Sequence, residues 1–289
     1  MSSRGQKVRH ILALSGGKDS AALAIYLKDK IPELEYVFMD TGHELPETHE
    51  FLNRMRAILG IEIHKLRPKK DFDYWLKIFN GCLPSPHNRW CTKLLKIVPY
   101  EYYIGDDEAR SYVALRADEN RVGYLSHNPR VIPCYPFIED GLIKQDIFQI
   151  LEESGLSLPK YYSWRSRSGC YFCFFQRRIE WIGLYNHHPE LFRQACRYET
   201  NHSDGRTYTW VQDKSLSKIL EDRDQILEET RNKEDMNIAG TVSKRLSNLL
   251  HDTSFSFGKG SILGDLAEGL DSIDDNSEEC EKPCLICTL

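Results

Sequence analysis

The chain lacks any apolar stretch long enough to cross a bilayer. Its most apolar segments, such as Val8–Leu14, fall far short of the roughly 20 residues a membrane helix needs. The opening sequence MSSRGQKVRH has no apolar signal-peptide core, so export is not expected and a cytoplasmic location is. Net positive charge is also missing: 38 Lys and Arg stand against 43 Asp and Glu, for a formal charge of −5. Residues 271–289 hold six acids and Lys282, which accounts for that whole deficit. This balance argues against a broad nucleic-acid-binding surface, although it is compatible with a local basic patch. Core-forming residues are not scarce. With 289 residues, 41% of them hydrophobic, the chain can bury one large domain or two modest ones.

Cysteine is abundant, with nine at positions 82, 91, 134, 170, 173, 196, 280, 284 and 287. An odd count without an export signal reads poorly as a disulfide framework. Metal ligation or thiol chemistry is the better first expectation, while an isolated residue such as Cys134 packs as a small hydrophobe.

Strand and helix signals alternate through residues 8–66. Val8–Leu14 is a short apolar run before a glycine turn, the pattern of a buried parallel strand. A helix is predicted over Ser20–Asp29, a strand over Glu35–Met39, a helix from Pro46 to a Gly60 cap, and a strand over Ile61–Leu66. This order predicts an α/β fold, a doubly wound parallel sheet that binds ligands at the strand carboxyl ends. Helices are expected at 71–80, 92–103, 146–154, 177–186 and 189–199. Further strands are expected at Ser111–Leu115 and Val131–Tyr135. The organisation read from these signals is an α/β domain over 1–160, a helical, cysteine-rich module over 161–257, and an acidic tail over 258–289.

Five motifs carry the chemistry. Ser15-Gly16-Gly17-Lys18-Asp19-Ser20 sits between a strand and a helix. Two glycines let backbone amides approach an anion, the helix N-terminus adds partial positive charge, and Lys18 adds a full one. A glycine turn with a capping serine is the plainer alternative. Asp40-Thr41-Gly42-His43-Glu44-Leu45-Pro46-Glu47-Thr48 places a carboxylate and a hydroxyl at the end of the second strand, facing the ligand crevice. Arg89-Trp90-Cys91-Thr92-Lys93 and Leu115-Arg116-Ala117-Asp118-Glu119-Asn120-Arg121 supply cations. Arg116 and Arg121 could bind an anionic group bidentately or pair with Asp118 and Glu119. Cys170-Tyr171-Phe172-Cys173 could be half of a zinc site, a redox pair or half of an iron–sulfur site. Lastly, Cys280, Cys284 and Cys287 lie in the acidic tail.

As a set, SGGKDS, DTGHELPET, RWCT and GCYFC resemble the PP-loop ATP pyrophosphatases of the adenine nucleotide α-hydrolase superfamily, in its phosphoadenosine-phosphosulfate reductase branch. Leu115 stands where that branch usually has glycine. The resemblance implies a Rossmann-like fold and cleavage of ATP between the α and β phosphates, with Mg²⁺ and Lys18 balancing the charge of the leaving pyrophosphate. It implies catalytic roles for Lys18, Asp19 and Arg116. Nucleotide contacts are implied for Ser15, Gly16, Gly17, Lys18, Asp19, Ser20, Asp40, Thr41, Arg116 and Arg121. The spacing of Cys91 and the CxxC resembles adenylylsulfate reductases, whose thiolates hold a [4Fe–4S] cluster. Here Thr92 replaces the second cysteine of the family's pair, so Cys196 is expected to join Cys91, Cys170 and Cys173, with Zn²⁺ in the same thiolates as the alternative.

The reductase ending ECGLH is absent. The combination therefore resembles the sulfur-insertion proteins of DNA phosphorothioation, the DndC/SspD type. That likeness implies adenylylation of an acceptor, a cysteine desulfurase and other sulfur-modification proteins as partners, and DNA reached through the complex. A reductase, a tRNA-thiolating enzyme and a non-catalytic nucleotide-binding subunit are the alternatives.

Overall fold

The computed structural model describes residues 8–120, 123, 128–201 and 207–233. Strand β1 (Arg9–Leu14) leads through a glycine turn to α1 (Lys18–Lys28), followed by β2 (Leu34–Met39), α2 (Pro46–Leu59) and β3 (Ile63–Leu66). Then come α3 (Phe72–Ile78), α4 (Trp90–Thr92), a π-helical turn at Lys93–Ile97 and α5 (Val98–Ile104). Strands β4 (Ala109–Tyr112) and β5 (Val131–Cys134) complete a five-stranded sheet of order β3-β2-β1-β4-β5, with every pair parallel. The α/β fold with a doubly wound parallel sheet expected from the sequence is the fold observed.

An apolar run in a central parallel strand must be covered on both faces, because side chains alternate across the sheet. β1 shows this directly. Leu12 and Leu14 pack with Phe51, Met55 and Ile147 on one face. Ile11 and Ala13 pack with Val37, Tyr100 and Ile104 on the other. The fourth strand begins at Ala109, two residues before the expected Ser111, because Arg9 at the start of β1 pairs with Ala109. Val113, Ala114 and Leu115 stay buried beyond the strand's end and carry the chain to the ligand side of the sheet.

Beyond the sheet, α6 (Pro136–Glu139) and α7 (Lys144–Glu153) lead to a short 3₁₀ turn at Lys160–Ser163. Helices α8 (Arg178–His187) and α9 (Pro189–Tyr198) follow, then a small antiparallel pair, β6 (Thr200–Asn201) and β7 (Thr207–Tyr208), and α10 (Leu216–Glu221). A second core gathers here and is largely aromatic. Phe72 and Trp90 join Phe172, Trp181 and Trp210, so residues on both sides of position 160 build it. Among the described residues no helix is long and apolar enough to cross a membrane. The tail, with Cys280, Cys284 and Cys287, and the expected ligand Arg121 lie outside the described residues.

Leu14 is 1% exposed at the point where β1 meets the turn. Leu14→Ala should lower stability by about 2–5 kcal/mol, through lost burial and a residual cavity. Urea unfolding followed by tryptophan fluorescence measures this.

Candidate functional site

β1 delivers the chain to Ser15, and the turn that follows is built around glycine. Gly16 adopts φ +77°, and a Cβ there would sit 2.5 Å from Thr48 Cγ2. A Cβ on Gly17 would sit 2.9 Å from Ser168 Oγ. The serines brace the turn. Ser20 Oγ donates to the Gly17 carbonyl at 3.1 Å, accepts from the Ser15 amide at 3.1 Å and lies 3.0 Å from Ser15 Oγ. Gly17 caps α1 without a side-chain cap of its own, so amide dipoles at this helix start point toward the crevice. Lys18 is 9% exposed, with Nζ 3.5 Å from Asp19 Oδ2.

Arg116 reaches this turn from beyond β4. Its buried guanidinium meets Asp19 at 3.0 Å, Asp118 at 2.9 Å and Glu119 at 3.2 Å. The ion pairs with Asp118 and Glu119 that the sequence left open are therefore formed, and Asp19 joins them. This fixes the orientation of Asp19 beside Lys18.

A clasp from the segment after α7 closes over the turn, and no motif in the chain announces it. Tyr161 Oη donates to the Gly16 carbonyl at 2.7 Å, and the Lys18 amide donates to Tyr162 Oη at 3.1 Å. Burial pushes both phenols above their usual pKa, so they stay neutral. The clasp is held in turn by Glu180 of α8, which is fully buried. Its Oε1 accepts from the Ser166 amide at 2.7 Å and from Ser166 Oγ at 2.6 Å, and its Oε2 accepts from the Arg177 amide at 3.0 Å. Burial alone would raise this carboxyl's pKa. The charges of Arg177 and Arg165 and the Ser166 bonds outweigh burial and hold it below the usual range. The residues between Tyr161 and Gly169 stood out in the sequence only as aromatic and arginine-rich, and that pattern does not reveal a grip on a distant loop.

At the end of β2, Asp40 is buried and its Oδ2 accepts from Arg67 Nε and Nη2, each at 2.9 Å. The Gly42 amide donates to Oδ1 at 3.0 Å. Thr41 Oγ1 donates to Glu44 Oε1 at 2.7 Å and lies 3.3 Å from Cys170 Sγ. The Tyr171 amide donates to the His43 carbonyl at 2.8 Å, and Glu44 forms an isolated antiparallel bridge with Cys170. The strand-end loop and the CxxC thus form one continuous wall.

Behind that wall lies an apolar cavity on which Cys91, Cys170 and Cys173 converge, with His43, Thr92 and Lys96 among the lining. Thr92, standing where the family's second cysteine would be, is therefore at the cavity. Cys196 is not part of the lining. Amphipathic α9 turns Phe192 and Ala195 into the aromatic core, and Cys196 packs against that core's margin, near Glu199. Cys82 and Cys134 are outside the lining as well. Burial pushes the Cys170 thiol up to about 12, and Glu44 adds to the shift, so without a bound cation this thiol is neutral. A zinc tetrahedron with bonds of about 2.3 Å needs sulfurs within about 4 Å of one another. Among the described residues, the ligand atoms gathered within 4.8 Å belong to Asp40, Glu44 and His49 and not to the cysteines. Cys91, Cys170 and Cys173 on this apolar, aromatic wall are the residues that could hold a metal ion or an iron–sulfur unit.

The fold and site define an α/β protein with a glycine-built anion loop joined to a three-thiol cavity. Residues 9–132 match the family model described as the phosphoadenosine phosphosulfate reductase domain. A relative called uncharacterized protein MJ0973, from Methanocaldococcus jannaschii, is 22% identical over 239 residues, covering 74% of this chain and 55% of that protein. The adenosine 5'-phosphosulfate reductase of Bacillus cereus is 26% identical over 100 residues, 34% of this chain and 43% of that protein. This chain spans about half the length, or less, of these two relatives. Among solved structures, the U34-tRNA thiolase NcsA from Methanococcus maripaludis with its [4Fe-4S] cluster aligns with a TM-score of 0.38. That alignment has 16% identity and covers 65% of this chain and 69% of that one.

Glu180→Gln forces an amide donor among groups that all donate. It should lower stability at neutral pH by about 1–3 kcal/mol. The native carboxyl's pKa is depressed, so its contribution is complete above the unfolded value of about 4.3 and fades as pH falls through that value toward the folded one. The difference between the two proteins should accordingly shrink in acid. Paired urea titrations at neutral pH and at about pH 3.5 test both statements.

Proposed function

We propose that the chain is an ATP pyrophosphatase that adenylylates an acceptor for sulfur insertion, with a nucleic-acid backbone as acceptor, as in DNA phosphorothioation. The observation that carries this reading is the shared wall: Thr41, beside the anion loop's crevice, also touches Cys170 at 3.3 Å. One substrate centre can therefore face both the nucleotide and the thiols. A match to the reductase domain model over residues 9–132 supports use of a nucleotide in sulfur chemistry.

The residues divide the work by charge. Amides at the start of α1 and the Lys18 ammonium would hold the β and γ phosphates, where negative charge grows as the α–β bond breaks. Asp19, partly exposed and oriented by Arg116, fits a magnesium ion, which commonly takes one or two carboxylates together with substrate phosphates. A backbone phosphate oxygen attacks the α-phosphorus, forming a mixed phosphoric anhydride of acceptor and AMP and expelling pyrophosphate. A hydrosulfide-level sulfur then forms a bond to the activated centre, and AMP leaves with the original oxygen. A cysteine desulfurase together with a thiol reductant would supply that sulfur.

Cys91, Cys170 and Cys173 would hold a [4Fe–4S] cluster, which when bound offers an iron site for inorganic sulfur. Lys96 on the cavity wall would balance part of the negative charge of thiolates and sulfide.

The purified protein should release pyrophosphate and AMP from ATP, and Lys18→Ala should slow this at least tenfold. Losing one positioned electrostatic contact commonly costs ~2.7–4 kcal/mol of barrier. ADP and orthophosphate as products would remove the α-hydrolase reading. Sulfite formation from adenylylsulfate, with no pyrophosphate from ATP, would move the chain to the reductases.

Anaerobically purified protein should be brown, with about four iron and four labile sulfide per chain for a [4Fe–4S] unit. Cys91→Ser, Cys170→Ser and Cys173→Ser should each bleach it, whereas Cys196→Ser should leave the colour. Stoichiometric zinc in a colourless protein would decide for the other metal.

A further inference from the structure

The outer edge of the sheet carries a surface feature that the chemistry above does not use. β3 is an edge strand, and from it the chain runs through Arg67, Pro68, Lys69 and Lys70 to α3. Between this segment and α5 lies a groove of about 660 Å³. Four of its lining residues are cations, Lys65, Arg67, Lys69 and Lys70, all of them exposed, and no lining residue is acidic. Among the nearby acids, Asp40 pairs with Arg67 from outside the groove. Asp71 Oδ1 accepts from the Tyr74 amide at 2.9 Å, and Asp73 Oδ1 accepts from Tyr198 Oη at 2.7 Å.

Two aromatic rings stand among these cations. Tyr102 of α5 is 75% exposed, with Lys69 Nζ 4.6 Å from its ring centre, and Trp75 of α3 lines the opposite side. In a chain of net charge −5, a wall of four cations without an acid is a local departure. Protection of an edge strand from pairing would account for Lys65 alone. Arg67, Lys69 and Lys70 lie past the strand's end, and Tyr102 and Trp75 come from two different helices.

We propose that this groove binds a single strand of nucleic acid, with phosphates on the four cations and unstacked bases on Tyr102 and Trp75. Cations tracking a backbone, combined with aromatic faces for bases, are what single-strand binding requires. A duplex would keep its base faces stacked and out of reach. Position supports the assignment as well. Arg67 lines the groove and also holds Asp40 at the carboxyl end of β2, so a strand lying there leads into the crevice beside the anion loop. This deepens the reading of a nucleic-acid acceptor and rests on it, but the binding itself needs neither ATP nor a cluster.

The test uses the full chain, without ATP, and a fluorescently labelled oligo-dT of roughly 20 nucleotides, long enough for a site of this kind. Anisotropy should report binding whose log–log salt slope approaches about −2.8, four phosphates at roughly −0.7 each. The double variant K69E/K70E should bind at least about tenfold more weakly with a flatter slope, by loss of two phosphate contacts. Tyr102→Ala should lose about fivefold or more through stacking. Pyrophosphate release from ATP alone should be unchanged in both variants. Equal binding by the variants and the native protein would overturn the proposal, and so would tighter binding of the matching duplex. Failure of ATP cleavage while the groove variants still lose binding would instead strike the activation reading and leave the groove in place.

Discussion

The Tyr171 amide donates to the His43 carbonyl, and beside it Glu44 bridges to Cys170. This short antiparallel contact joins segments about 130 residues apart in the chain. One is the loop that ends β2, fixed in place by the parallel sheet. The other is the CxxC, whose own sequence holds nothing that would specify its position. Together with the Tyr161 and Tyr162 clasp, the bridge sets the thiols relative to the glycine turn. With it, Thr41 serves both sides. Such a contact is worth little by itself, since a net backbone hydrogen bond contributes about 0.5–1.5 kcal/mol. Its effect comes from where it sits, between two rigid bodies that are each held by their own core.

The surroundings keep this contact in register. Phe172 stacks on Trp210 and tilts against Phe72 and His43, so the aromatic core grips the CxxC from beneath. Arg165, almost fully buried, spends its fork on the carbonyls of Gly169 and Cys170. It terminates backbone groups that would otherwise be buried without a partner. Glu180 does the same for Ser166 and Arg177. Two buried charges, Arg165 and Glu180, thus shape the loop that clasps the Gly16–Lys18 turn.

A consequence for the site is that its cations are unequal. Lys18 sits at the helix start with the Asp19 carboxylate at 3.5 Å. Arg116 is surrounded by three carboxylates, among them Asp19. Arg67 is more exposed and ties the strand-end carboxylate to the basic groove at the sheet edge. Each of these cations is thus set against at least one carboxylate.

The sheet and the glycine turn after β1 were legible in the sequence because both are encoded locally. Apolar runs that alternate with helical periodicity admit few arrangements, and two glycines between a strand and a helix mark a tight turn. Cys91, Cys170 and Cys173 could also be singled out by residue type and spacing. Cys196 could not be placed in the same way. Its distance along the chain says nothing about which flank of α9 it occupies, and packing of Phe192 and Ala195 turned it away from the other three. The tyrosine clasp, the Glu180 anchor and the grouping of Lys65, Arg67, Lys69 and Lys70 with Tyr102 were equally out of reach. Each depends on segments brought together by tertiary packing, and side chains that meet only across the fold leave no periodic trace in the sequence.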